Sequence, residues 1–495
     1  MVLVKEVWVL TFACLCEARI KRNNLTNTMF SAIESSLSSG LLLLFVLTVL
    51  IICAFEFVNG FHDTANAVAT VIYTGTLKPG VAVIWSGVMN FLGVVVSGYL
   101  FGYGVAMKIA NLLPVEALMG QDLHHSIAMI ISVLLAAIIW NLGTWYFGIP
   151  CSSSHTMIGA LLGVGIVFSM LPENTEQVGV NWGEAVKIGQ SLLFSPLFGF
   201  SMAITLMFIF KQVIKDKKIF KEPEPGSRPP IYIRVLLVTT CTLVSFFHGS
   251  NDGQKGVGLL VIALMTFLPL QFSLAPSFTP DAASQSLDNI VAALPSSLAS
   301  YPEIQKANET IALLKADIAS QKPEDVKQRL AIRKRLSILY KNMDVLLDVP
   351  NLITDKHARK IIEKEAKKLN SYTTHVPLWC MIAISIALGI GTMVGWKRIV
   401  VTIGEKIGKR HMTYAEGATA EIIAAGTIFL ASNFGLPVST THILSSGVAG
   451  SMVASKGVKN LQSDTIKNIA LAWVLTLPAT ILLSGLMYYL LRNLI

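Results

Sequence analysis

The chain has 495 residues, of which 53% are hydrophobic and only 14% charged, and its mean hydropathy is +0.61. Such a composition excludes an ordinary water-soluble domain. The net charge of +9 comes from Lys and Arg placed between apolar runs, a pattern that fits the positive-inside rule of membrane proteins better than a nucleic-acid-binding patch.

In chain order, residues 1–38 form an amino-terminal extension. Residues 2–16 are apolar but carry Lys5 and Glu6, residues 17–27 are polar, and no small-residue cleavage site follows. The native start is therefore expected at Met29, with residues 1–28 absent from the mature protein. Residues 39–211 read as a first transmembrane repeat, with apolar runs at 41–58, 81–107, 126–147 and 188–210. Each is close to the roughly 20 residues that cross a bilayer. A basic linker (212–231) follows, then the start of a second repeat (232–274) and a polar helical insertion (275–374). Within the insertion, residues 309–347 place apolar side chains at helical spacing among many charges. The second repeat resumes over 375–495, with runs at 376–395 and 469–491. Four of the six cysteines (Cys53, Cys151, Cys241 and Cys380) are scattered in or beside these runs, so they read as small helix residues and not as a disulfide or zinc framework.

Two motif pairs reveal a duplication. FVNGFHDTANAV from Phe57 matches FFHGSNDGQKGV from Phe246 at an offset of 189, which pairs Gly60 with Gly249 and Asp63 with Asp252. FGIPCSSSHTMIGALLG from Phe147 matches FGLPVSTTHILSSGVAG from Phe434 at an offset of 287, which pairs Ser152 with Ser439 and His155 with His442. The offsets differ by 98, almost the length of the insertion, so removing it restores equal spacing. Charge then orients the halves. Residues 211–234 hold seven Lys or Arg and 397–410 hold five, so both belong on the cytoplasmic side. The repeat pairs 397–410 with 107–123 and the mildly basic 456–467 with 171–184, both sparse in Lys and Arg, so equivalent loops fall on opposite sides. The expected fold is an all-α polytopic membrane protein of two inverted repeats, with broken half-helices meeting near the bilayer midplane. The same count puts the insertion outside.

The chemistry lies in the motif pairs. Asn59 to Asn66 interrupt an apolar run with glycine and polar side chains, and an ionised Asp at membrane depth is costly unless it is partnered. Asp63 and Asp252 are therefore functional candidates, against the plainer alternative of helix caps or a buried polar contact. Pro150 followed by Ser152, Ser153 and Ser154, and Pro437 followed by Ser439, Thr440 and Thr441, read as helix starts. Their free N–H groups, positive dipole end and hydroxyls suit an oxyanion, though small hydroxyl residues also serve close helix packing. His155 and His442 could relay protons or hold the half-helices in place. Asn66 with Asp63 offers oxygen ligands to a cation, whereas Lys255 stands at the equivalent place in the second half. It could pair with Asp252, attract the anion, or replace a cation and so favour protons over sodium. Glu56 and Glu421 are further membrane carboxylates, and Glu421 is a coupling candidate.

These residues resemble the inorganic phosphate transporter (Pit) family, above all its bacterial low-affinity members. The resemblance rests on GFHDTANAVATVIYT from Gly60, WNLGTWYFGIPCSSSHTMIGA from Trp140, HGSNDGQKGVGL from His248, LGIGTMVGWKR from Leu388, TIGEKIGK from Thr402 and GLPVSTTHILSS from Gly435. It implies a symporter of the cell inner membrane that takes up phosphate as a neutral complex with magnesium or another divalent cation, coupled to protons and without a cofactor. It also implies a homodimer. Asp63, Asn66, Ser152, Ser153, Ser154, Asp252, Ser439, Thr440 and Thr441 would line the site, and Lys255 joins them on the repeat alignment. Sodium-coupled relatives look acidic near the position of Asn90, a neutral amide here; sodium coupling and sulfate transport stay open as alternatives. A membrane hydrolase is the competing class, but no G-x-S-x-G elbow is present and the polar groups come in pairs. A channel suits facing half-helix ends less well.

Overall fold

The computed structural model of the protein describes residues 37–100, 102–113, 123–172, 174, 179–224, 228–295, 301–320, 325–349 and 352–494. The extension expected to lie outside the mature protein, residues 1–28, falls outside the described residues. The chain divides into two compact units, 1–49 and 50–495. The described part of the first, residues 37–49, holds the start of helix α1.

Among the described residues every long element is a helix. Helix α1 (Ser39–Asp63) is followed after one residue by α2 (Ala65–Tyr73). Then come α3 (Pro79–Leu100), α4 (Gly104–Ala110), α5 (Leu123–Tyr146), α6 (Ser153–Ser169) and α7 (Trp182–Val213). Helix α8 (Ile231–Phe267) opens the second half. Beyond the insertion lie α13 (Leu378–Met393), α14 (Lys397–Val401), α15 (Tyr414–Asn433), α16 (Thr440–Lys456) and α17 (Ser463–Leu491). Among the described residues six spans are long and apolar enough to cross a membrane, seven if α13 and the helical segment from Lys397 to Lys406, bent 56° apart, count as one. The apolar run 81–107 does not stay helical throughout, because Gly102 takes a φ of +70° between α3 and α4.

The duplicated motifs fold alike at one place and differently at the other. Gly148 (φ +67°) and Gly435 (φ +60°) turn the chain after α5 and α15. The helices that follow, α6 and α16, have 17 residues each, about 25 Å and thus shorter than the roughly 30 Å of hydrocarbon. The aspartate motif departs from regular helix only in its first copy, at Thr64, which keeps helical dihedrals (φ −51°, ψ −39°) within one 35-residue span and whose hydroxyl donates to the carbonyls of Gly60 (2.7 Å) and Thr392 (2.9 Å). Its second copy lies inside the unbroken 37-residue α8. No unwinding is needed there, because the polar side chains are satisfied sideways. Asn251 donates to Ser432 and to the Leu436 carbonyl, and Gln254 accepts from the backbone N–H groups of Val105 and Ala106.

Packing is reciprocal between halves. Helix α7 lies along α16, and α17 lies along α6. Glycines allow these approaches: a Cβ on Gly450 would strike the Phe200 backbone, and one on Gly163 would strike that of Ile481. The same exchange recurs near the aspartates, where Gly391 abuts the backbone of Phe57 and Gly93 that of Phe246. Between the two parts of the second half, α9 (Pro280–Ala293), α10 (Pro302–Ala319), α11 (Val326–Asp348) and α12 (Lys356–Ser371) gather around their own apolar core, which includes Leu287, Ile311, Leu336 and Ile362. The amphipathic stretch 309–347 thus falls into two helices.

Candidate functional site

Two helix starts and two aspartates meet in the interior. Ser152 caps α6 by accepting from the backbone N–H of His155 at 3.2 Å, and Ser439 caps α16 by accepting from that of His442 at 3.1 Å. Those two hydroxyls therefore serve the backbone. The hydroxyls that follow face the carboxylates. Ser153 donates within reach of Asp63 Oδ2 (2.9 Å) and Asp252 Oδ2 (3.3 Å), and Thr441 donates to Asp63 Oδ1 at 2.6 Å. The Asn66 amide reaches Asp63 Oδ1 (3.3 Å), Thr440 (3.4 Å) and Thr441 (3.0 Å). Lys255 lies 2.5 Å from Asp252 Oδ2 and also donates to Ser153 (3.2 Å) and Ser154 (2.8 Å), while the Ser154 hydroxyl donates to the Val438 carbonyl at 2.8 Å. The side chains of Asp63, Asp252 and Lys255 are wholly buried. An ammonium at such depth is stabilised by its carboxylate partner and by hydroxyl acceptors.

Asn66, Ser153, Ser154, Lys255, Thr440 and Thr441 thus join the two aspartates in one hydrogen-bonded set, with Ser152 and Ser439 beneath it as caps. His155 and His442 lie at the helix starts with their rings 4.5 Å apart; His155 Nδ1 meets the Ser152 hydroxyl at 2.9 Å, and His442 stacks on Trp473 at 4.0 Å. Glu421 is elsewhere, between α2 and α8, accepting from the hydroxyls of Thr70 and Thr240. Glu56 accepts from Asn59 at 3.1 Å and lies against Gly256.

Two histidines complete the site. His248 Nε2 stands 3.4 Å from Asp252 Oδ2 and 3.7 Å from Asp63 Oδ2. Its other nitrogen is fixed by a chain of donors. Thr392 donates to the Leu388 carbonyl (2.8 Å), so it accepts from the Asn90 amide (3.0 Å), which turns Asn90 Oδ1 toward His248 Nδ1 at 2.9 Å. His248 therefore carries a hydrogen on Nδ1. His62 is arranged likewise: Thr144 donates to the Trp140 carbonyl (3.0 Å) and accepts from His62 Nε2 (3.2 Å), leaving Nδ1 at 3.4 Å from Asp63 Oδ1. Neither imidazole in its neutral form has a hydrogen for the carboxylates. Asp63, His248 and Asp252 offer three ligand atoms within 4.8 Å of one another, an arrangement suited to a proton or a divalent cation. Sequence reading passes over His248 as a site residue because its first-half counterpart is Asn59. Its position four residues before Asp252 on a helical face was the available signal.

Apolar spans enclosing a buried, charged centre at the meeting of two matched helix starts are the build of a membrane carrier. Residues 59–484 match the phosphate transporter family, and the chain belongs to that family. It is 39% identical to a low-affinity inorganic phosphate transporter, PitB, of Escherichia coli (strain K12), over 92% of this chain and 98% of that one. A probable low-affinity inorganic phosphate transporter of Bacillus subtilis (strain 168) is 30% identical over 91% of this chain and 98% of its own. Among solved structures, a sodium-dependent phosphate transporter superposes with a TM-score of 0.53 at 20% identity, covering 91% of this chain and all of that one, a likeness of fold. The chain is accordingly a transporter and not an enzyme, and the hydrolase alternative falls.

Proposed function

We propose that this chain takes up inorganic phosphate by symport with protons, the phosphate travelling as a complex with a divalent cation such as magnesium, and that it does so in the cytoplasmic membrane. The observation that carries this reading is the charge of the site: two buried carboxylates meet one buried ammonium. Unless a histidine is protonated, the set holds one negative charge in excess. A bare phosphate anion is repelled by such a site, and a proton or divalent cation among Asp63, His248 and Asp252 removes the repulsion. Entry of the anion is thereby tied to entry of positive charge, which is the physical content of symport. The hydroxyls of Ser153 and Thr441 then supply donors to the phosphate oxygens as they exchange away from the carboxylates, with Ser154 and Thr440 beside them.

Lys255 favours protons over sodium. Its ammonium already fills the place beside Asp252 that a second cation would take. The experiment is uptake of radiolabelled phosphate into proteoliposomes under an inward proton gradient, with and without magnesium and sodium, and with excess unlabelled sulfate as competitor. Accumulation that needs the proton gradient and magnesium and ignores sulfate is expected. Accumulation driven by sodium alone would overturn the coupling assignment, and effective competition by sulfate would overturn the substrate.

A further inference from the structure

At the end of α5, facing the bend between α13 and α14, lies a cavity of about 610 Å³ that is separate from the hydrogen-bonded set. Its walls include Trp145, Tyr146, Trp396, Lys397, Arg398 and Lys406. Among the described residues three cations line it and no carboxylate does; Glu405, the neighbour of Lys406, is engaged by the Tyr73 hydroxyl. Solvated lysines at the end of a membrane span are ordinary. Arg398, also exposed, is in addition held in place. It donates to the Tyr146 carbonyl at 2.5 Å and lies 5.1 Å from the Trp145 ring and 4.8 Å from the Tyr146 ring. One carbonyl engages one of its five N–H groups, and stacking fixes the plane in which the others point. Tyr146 (60%) and Phe147 (74%) are exposed rings on the same rim, as at the depth where a bilayer meets water.

The cavity also stands close to the centre. Phe61, two residues before Asp63, packs edge-on against Trp145 at 5.1 Å and beneath Gly395. A layer of aromatic side chains thus separates the cavity from the carboxylates.

We propose that this cavity is a second site, for a phosphate group held by Arg398, Lys397 and Lys406 at the membrane face that carries 397–410. An anion with several oxygens and more than one negative charge suits a guanidinium fork beside two ammonium groups. The group can come from inorganic phosphate leaving the centre past Phe61 and Trp145, or from the headgroup of an anionic phospholipid. The first source rests on the transport reading above, and the second does not.

The test uses the full chain in detergent and compares the double variant K397Q/K406Q with a control of equal charge, K409Q/K459Q. All four lysines are exposed, so both variants should fold. Thermal unfolding midpoints are followed while inorganic phosphate, phosphatidylglycerol or phosphatidylcholine is titrated. Relative to the control, K397Q/K406Q should need roughly thirtyfold more of one anionic ligand for half of the full stabilisation, since each of the two cations contributes about 1 kcal/mol to binding such a group near a surface. A difference with inorganic phosphate identifies the released ion as the occupant. A difference with phosphatidylglycerol, but not with phosphatidylcholine, identifies a lipid. Equal titrations in the two variants for every ligand would overturn the proposal. A wild-type protein that failed to accumulate phosphate in vesicles would remove only the first source.

Discussion

Asp63 and Asp252 stand at matched places in the two halves, and their surroundings differ in kind. Asp63 ends helix α1 and receives neutral donors: the hydroxyls of Ser153 and Thr441 and the amide of Asn66. Asp252 sits inside an unbroken helix and receives an ammonium from Lys255 on its own face, one turn on. The duplicated frame therefore sets where the carboxylates are, and a single side chain at Asn66 or Lys255 sets the charge each one meets. The first aspartate has no lysine or arginine among these partners; the second is paired with one.

The most severe way to break this comparison is to remove each carboxylate. Asp63→Asn and Asp252→Asn should both abolish accumulation of phosphate in proteoliposomes while the protein still inserts into membranes. Their stabilities should differ. Asp252→Asn strands a buried ammonium, a loss of about 3–5 kcal/mol for a buried pair broken on one side, whereas Asp63→Asn substitutes an amide among neutral donors and costs less. Normal uptake by both variants would dismiss the proposed site. Equal thermal midpoints would dismiss the asymmetry.

Lys255→Asn comes next, because it makes the second half resemble the first. It creates an Asp with an Asn three residues on in both halves, with oxygen ligands for a small cation at each. The expected outcome in vesicle assays is uptake that responds to a sodium gradient, with a weaker response to protons. An unchanged ion preference would remove the role assigned to Lys255.

Much of this was legible in the sequence, for reasons that can be named. Pro150 and Pro437 with their trailing hydroxyls give two helix starts, because a cap is a local contact between a side chain and the backbone three residues on. The pairing of Asp63 with Asp252 follows from the repeat. What was hidden depends on packing. The second aspartate motif looks like a break in hydrophobicity, yet α8 runs straight through it, since Asn251 and Gln254 find partners on other elements. His248 escaped because the repeat does not duplicate it. The fixing of its ring through Asn90 and Thr392 crosses three helices far apart in the chain. Glu421 reads as a lone membrane carboxylate until the fold brings Thr70 and Thr240 against it.

A smaller effect separates the hydroxyls that face the carboxylates from those that cap. Replacing Ser153 and Ser154 together with Ala removes two acceptors of Lys255 and a donor to Asp63, and with them two hydroxyls that the proposed function assigns to the phosphate. The apparent KM for phosphate should rise by roughly tenfold or more, on the order of 1–1.5 kcal/mol per lost hydrogen bond, with protein abundance changing less. An unchanged KM with low abundance would make these serines packing residues.

The finest test concerns the caps, where the two halves should behave alike. Ser152→Ala and Ser439→Ala each remove one acceptor from the first turn of a 17-residue helix, and in each case the orphaned group is the N–H of a histidine. A lost cap costs about 1 kcal/mol. Both variants should therefore lower the thermal midpoint by a similar small amount and keep phosphate uptake with a near-normal KM. One difference is built in. Ser152 also meets the His155 ring at 2.9 Å, whereas no such bond joins Ser439 to the ring of His442, which stacks on Trp473 instead. Ser152→Ala should accordingly be the more destabilising of the pair by a fraction of a kilocalorie. If it instead abolished proton-driven uptake while Ser439→Ala did not, His155 would belong to the proton path and its contact with Ser152 would be part of transport, not of helix capping.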